Sequence, residues 1–359
     1  MNAHRYTIQA PGKLFIAGEY AITAPNQPSI VAAIDRYLSV DIQSSHLKRI
    51  DLPQLGLTDI HWRFDDDKFK LSVHDDRLHF FASVMKTIYQ YKGADTPAHI
   101  FVTSDLDHDD GKKYGLGSSA AFVVALTEAL LQCGDKQAVD KLTIFKLASI
   151  AHFKAQGNGS CADIAASVYG GLVYYRSFDF DFLSDALSNN VPVKELVQMD
   201  WPHLQIERLT VPTSLYFMVG WTKEEAQTKP FIERFQQLKE TNLTFYQAFL
   251  AETDTIVEAL RESFKDNNQT GVLEGIRANR QLLRALQEKT DVPIETETLT
   301  TLIDSAKTGA FKTSGAGGGD CGIGFVSDKA TVKQIKAAWL EHGIEYLDLN
   351  VSPFGVTVN

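Results

Sequence analysis

The sequence predicts a two-lobed α+β protein on three observations. Its 359 residues exceed one average domain, strand and helix periods mix in both halves, and an irregular stretch divides them. Alternating apolar runs at 6–10, 29–41 and 99–103 predict strands. Apolar spacing at 118–133, 142–156 and 161–168 suits helices. The dividing stretch, 189–212, carries Asn-Asn, Val-Pro, Trp-Pro and Val-Pro steps that disfavour long helices, which sets lobes at 1–195 and 196–359. The second half opens with a strand at 214–221 and continues with helices near 231–260, 271–286 and 299–308. After a glycine run at 315–319 come a strand at 322–326, a helix at 329–342 and a last strand near 346–351.

Hydrophobic residues make up 44% and charged residues 22%, an ordinary globular mixture. Acidic residues outnumber basic ones by 45 to 35, so the formal net charge of -10 repels phosphodiester backbones and argues against a nucleic-acid partner. An anionic small substrate needs a local basic cluster that overrides this background. No apolar run is long enough to span a bilayer, and residues 1–10 lack an apolar signal core, so no membrane partner and a cytoplasmic compartment are expected. Cys133, Cys161 and Cys321 are too far apart to imply a disulfide framework or a zinc knuckle.

The most informative segment runs Lys112-Lys113-Tyr114-Gly115-Leu116-Gly117-Ser118-Ser119-Ala120-Ala121. Glycines let backbone pass close to a ligand, and the first turn of the following helix presents unpaired N–H groups and a positive dipole end. That is a phosphate cradle, or else an ordinary capped helix start. The serines can cap the helix, and one hydroxyl can ligate a magnesium ion. The loose Gly-x-Gly pattern also fits a dinucleotide fingerprint, but the polar stretch 104–113 separates it from the preceding strand, and no Walker-type Gly-Lys-Ser/Thr occurs.

A second segment, Ala10-Pro11-Gly12-Lys13, sets a lysine at a tight turn before an apolar strand, where its ammonium must reach water or an anion. A third, Lys312-Thr313-Ser314-Gly315-Ala316-Gly317-Gly318-Gly319-Asp320-Cys321-Gly322, is costly to order as plain structure and suits close backbone approach to a ligand. A fourth, 156–167, joins two helical patterns through glycines and places Asp163 in a first helical turn, where dipole compensation is the simplest role.

In this order the segments resemble the GHMP kinases, named for galactokinase, homoserine, mevalonate and phosphomevalonate kinases. Gly18-Glu19-Tyr20, Gly220-Trp221-Thr222-Lys223, Asn279-Arg280-Gln281 and the run 315–322 look like the phosphomevalonate kinase branch. The resemblance implies an N-terminal lobe like ribosomal-protein S5 domain 2, a ferredoxin-like C-terminal lobe, and ATP meeting a small-molecule acceptor between them in a monomer or homodimer. It implies ATP-dependent phosphorylation of (R)-5-phosphomevalonate, with mevalonate kinase as the nearest alternative and a non-catalytic ligand sensor as a more distant one.

Carried over residue by residue, Lys13 and Asp163 take the catalytic positions. Lys112, Lys113, Gly115, Leu116, Gly117, Ser118, Ser119 and Ala120 take the nucleotide phosphates, with Ser119 the magnesium ligand. Tyr20, Ser160, Gly315, Ala316 and Gly317 take the acceptor. Arg280 is a candidate for gripping an acceptor carboxylate or phosphate, or equally forms a surface ion pair. Two positions depart from relatives: His152 replaces a metal-binding glutamate of mevalonate kinases and galactokinases, and Glu225-Ala226-Gln227-Thr228 replaces a Pro-Ala segment followed by small hydroxyl residues.

Overall fold

The computed structural model describes residues 5–108, 112–133, 139–157 and 159–359. Asn158, in the fourth glycine-containing segment, and 109–111, in the polar stretch before the phosphate loop, lie outside them. The first half runs β1 (Arg5–Ala17), β2 (Pro28–Ser44), β3 (Arg49–Leu52), β4 (Leu57–Asp65), β5 (Lys68–Leu71), α1 (His79–Lys92) and β6 (Ala98–Ser104). Next come α2 (Ser118–Gln132), α3 (Lys141–Gln156), α4 (Ala162–Tyr169), β7 (Leu172–Arg176), α5 (Phe180–Ser188), α6 (Val193–Gln198) and β8 (Gln205–Leu209). The remainder is β9 (Tyr216–Trp221), α7 (Thr228–Thr241), α8 (Leu243–Lys265), α9 (Gln269–Thr290), α10 (Glu297–Asp304) and β10 (Ala310–Thr313). It closes with β11 (Cys321–Val326), α11 (Lys329–Glu341), β12 (Glu345–Leu347) and β13 (Thr357–Val358).

Two sheets organise this α+β fold. One has nine strands, ordered β13-β1-β2-β6-β3-β4-β5, with β7 also pairing β2 and β8 pairing β7. The other is the antiparallel four-stranded sheet β10-β11-β9-β12. The alternation at 6–10 and 29–41 belongs to longer strands, and the tight turn expected at Lys13 is instead a register shift between Pro11 and Gly12 within β1. Gly12 explains why the chain bends there rather than reversing. A Cβ on it would lie 2.7 Å from the Leu116 carbonyl oxygen and 2.7 Å from Leu106 Cδ2, so only a bare Cα lets the phosphate loop close onto the strand.

Helix α2 is apolar nearly all round, and Ala120, Ala121 and 123–131 are buried, as a helix enclosed on every side requires. The single helix expected over 231–260 is two. Asn242 separates them by accepting a hydrogen bond from Phe245 N at 3.2 Å, capping α8. In the second sheet Leu302 fills the space above Gly220 and Gly322, where Cβ atoms would lie 2.8 and 2.6 Å from it. One hydrophobic core runs through both halves, joining Val31 and Ile34 to Val257, Leu260, Ile323 and Phe325. Among the described residues no helix is long and apolar enough to cross a membrane.

Candidate active site

A cleft of about 460 Å³ opens where β1, the 115–119 loop and the start of α4 face the glycine run after β10. Gly115 and Gly117 both have left-handed backbone, φ 79° and 78°, and α2 starts directly after them. Gly117 occupies the N-cap position and no side chain caps the helix. Ser118 and Ser119 therefore sit inside the first turn and line the cleft, rather than capping the helix as the sequence suggested.

Lys13 is built into this loop. Its backbone N–H donates to Leu116 O at 2.8 Å, and its amine donates to Gly115 O at 3.2 Å. Its stem lies where a Gly117 side chain would be: a Cβ there would meet Lys13 Cγ and Cε at 2.8 Å each. The amine is thus carried into the cleft beside the α2 N-terminus, where positive dipole and cation add.

Asp163 lies in the first turn of α4 and lines the cleft, and its Oδ1 accepts from Ile164 N at 2.9 Å. Among the described residues no ion pair joins it to Lys13. Ser167 Oγ donates to Pro11 O at 2.8 Å, fixing α4 against β1. Ser160 lines the cleft, and its carbonyl accepts from the Tyr175 hydroxyl at 2.6 Å. His152 is buried and stacks on Phe80 with ring centroids 5.0 Å apart, and neither ring nitrogen has a hydrogen-bond partner. Burial holds its imidazole below the ordinary histidine value, with Asp163 pulling the other way.

The second half closes the cleft. The Tyr20 hydroxyl donates to Ala316 O at 2.5 Å, Ser314 Oγ donates to Phe15 O at 3.0 Å, and the Lys312 ammonium pairs with Glu19. That last pair is fully buried, and Glu19 Oε2, also buried, has no partner. Burial pushes the Lys312 ammonium down and the Tyr20 phenol up, while Glu19 supports the Lys312 charge. Asp320 reaches from the glycine run onto Gly115. Burial raises its carboxyl above the usual range, opposed by the Ala226 N–H and by Lys13 and Lys113.

Several expected site residues stand elsewhere. Arg280 is not among the cleft residues, and its guanidinium donates to Glu295 at 2.6 and 2.9 Å and to Asp304 at 2.9 Å. A Cβ on Gly317 would lie 2.1 Å from the Ile294 carbonyl oxygen, and Gly317 is not among the cleft residues, whereas Gly315 and Ala316 line it. Ala120 is packed in the core beneath the loop. Lys113 lines the cleft beside Asp107, and Lys112 is exposed outside the lining. Glu19, Lys312, Ser314 and Asp320 carry no individual signal in the sequence, although each lies in a glycine-containing segment.

The family profile described as GHMP kinases N terminal domain matches residues 79–171, and the one described as GHMP kinases C terminal matches 256–345. A phosphomevalonate kinase of Streptomyces sp. (strain CL190) is 32% identical, covering 97% of each chain. Among solved structures, a Listeria innocua protein superposes with a TM-score of 0.92 at 31% identity, covering 99% of each chain. Streptococcus pneumoniae phosphomevalonate kinase in complex with phosphomevalonate and AMPPNP superposes with a TM-score of 0.81 at 29% identity, covering 98% of this chain and 99% of the other.

Proposed function

The chain belongs to the GHMP kinase family, and from that premise we propose that it transfers the γ-phosphoryl group of ATP to the phosphate of (R)-5-phosphomevalonate. The products are ADP and 5-diphosphomevalonate, a step of the mevalonate route to isoprenoids. What carries the reading is Lys13 laid over the glycine loop ahead of α2, in a chain similar over nearly its whole length to a phosphomevalonate kinase.

The acceptor is a phosphate oxygen whose second ionisation lies near pH 6, so at neutral pH it is already nucleophilic and repulsion between two phosphoryl groups is the main obstacle. The residues answer that obstacle with positive charge and alignment: Lys13, Lys113 and the α2 N-terminus face the transferring group. Asp163, Ser160, Tyr20, Gly315 and Ala316 border the remaining space and orient the acceptor there. Asp163 acts in this scheme as a positioning carboxylate rather than an obligatory base.

Oxygen donors at the loop suit a magnesium ion, because the Ser119 hydroxyl is not used in capping the helix and hard cations need few protein ligands beside phosphates and water. Bound there, magnesium would neutralise charge on the nucleotide phosphates. The proposed compartment is the cytoplasm, and the proposed assembly a monomer or homodimer. Coupled ADP release with phosphomevalonate and mevalonate offered separately tests the reading: phosphomevalonate should support turnover. Equal or faster turnover with mevalonate would overturn it.

A further inference from the structure

We propose that Asp320, on the glycine loop of the second half, is a positioning residue for Lys13: it presses on Gly115 and fixes the carbonyl to which the Lys13 amine donates. The inference rests on the reading of Lys13 as the catalytic lysine. Its geometric basis is that two side chains from opposite halves of the molecule converge on one glycine. A Cβ on Gly115 would lie 2.5 Å from Asp320 Oδ2, 2.7 Å from Cγ and 2.8 Å from its Cβ, so the carboxyl occupies the volume over the bare Cα. The Gly115 carbonyl meanwhile accepts from Lys13 Nζ at 3.2 Å.

Asp320 is itself held firmly enough to act as a stop. Its N–H donates to Glu224 O at 2.7 Å, and its carbonyl accepts from Thr222 N at 2.9 Å and Thr222 Oγ1 at 3.0 Å. Its Oδ1 accepts from Ala226 N at 3.3 Å, while its backbone takes the left-handed conformation, φ 52°, that costs a side-chain-bearing residue energy. Four hydrogen bonds therefore pin a strained residue so that its carboxyl bears on the phosphate loop.

Asp163, the other residue carried over to a catalytic position, makes no hydrogen bond or ion pair with Lys13 among the described residues. Asp320 and Lys13 instead attract across Gly115 without a direct ion pair. An amine held at a fixed carbonyl meets the transferring phosphoryl group with little rotamer freedom left to lose, and small misplacements of such groups are expensive in rate.

A double-mutant cycle tests the inference, with single-turnover rates at saturating ATP and phosphomevalonate, and nucleotide affinity measured by a fluorescent ADP analogue. Asp320→Ala should slow the parent about tenfold, slow Lys13→Met less than about twofold, and change nucleotide affinity by no more than about twofold. Circular dichroism and melting temperature establish that the variants fold. Should Asp320→Ala fail to fold, Asp320→Ser, which removes the bulk over Gly115 but keeps a hydroxyl acceptor for Ala226, carries the same cycle. An equal loss in both backgrounds overturns the positioning role, and so does a loss expressed only as weaker nucleotide binding. If Lys13→Met turns over like the parent, or phosphomevalonate supports no ADP release, the functional reading itself fails. If Lys13→Met is defective and the two losses multiply, only the role of Asp320 falls.

Discussion

Lys13 spends its stem on the Gly117 surface and its amine on the Gly115 carbonyl, so its charge is delivered to one place. Lys13→Met should lower turnover by about two orders of magnitude or more, the scale of losing one preorganised electrostatic contact. Asp163→Asn should be milder and should keep the acidic limb of the parent's pH–rate profile, because an anionic acceptor needs no proton removed. Comparable damage, with loss of that limb, would make Asp163 a general base. His152 gives a pH prediction of known sign. Burial depresses its folded-state pKa, so between that value and about 6.5 the unfolded chain binds more protons than the folded one. The stability that His152 confers is full above about pH 6.5 and falls as the pH drops through that value. Urea midpoints measured from acid to neutral pH should slope less in His152→Phe than in the parent. Parallel slopes would mean the imidazole is not held neutral.

Elements explain why loop substitutions should differ by position. Gly117→Ala must adopt φ 78° and also displace the Lys13 stem, whereas Gly56→Ala must adopt φ 68° with nothing within 4 Å of the new Cβ. Each should lose about 1–2 kcal/mol to the left-handed backbone, but only Gly117→Ala should also lose about tenfold in kcat. Thermal melts beside steady-state rates check the pair, and equal activity in both would remove the steric account of the loop. Helices α2, α3 and α4 were legible because apolar spacing and glycine boundaries agree there. Helix α1 was not, since its N-cap is Leu78 with no side-chain cap, and the capping bond of Asp75 belongs to the 3-10 turn ahead of it. The four-residue strand β10 was too short for any alternation to register. Lys13, the 115–119 loop and Asp163 were visible as glycine-rich segments because close backbone approach demands particular residues locally. Arg280 was ambiguous because its partner Glu295 lies beyond the end of α9, which local sequence does not bring near.

At the scale of the whole molecule the cleft depends on contacts that no local pattern reveals. Glu19 and Lys312 are 293 positions apart, and nothing in either segment announces the other. Their buried pair sits with the Tyr20–Ala316 and Ser314–Phe15 hydrogen bonds in one seam between β1 and the glycine run. A buried pair need not stabilise relative to an apolar replacement, but removing one member strands a charge without solvent. Lys312→Met should therefore cost about 3–5 kcal/mol, while Glu19→Leu combined with Lys312→Met should cost less than the two single losses added together. The seam also fixes where the glycine run meets the phosphate loop, so Lys312→Met should lower kcat even under conditions where the protein is fully folded. Urea unfolding followed by near-ultraviolet circular dichroism, with kcat measured well below the midpoint, separates the two effects. Because one core spans both halves, unfolding should remain a single transition in the parent. In Lys312→Met, a stability loss below about 1 kcal/mol, or strict additivity in the double variant, would show that the seam is held by its hydrogen bonds and apolar contacts rather than by the charge pair.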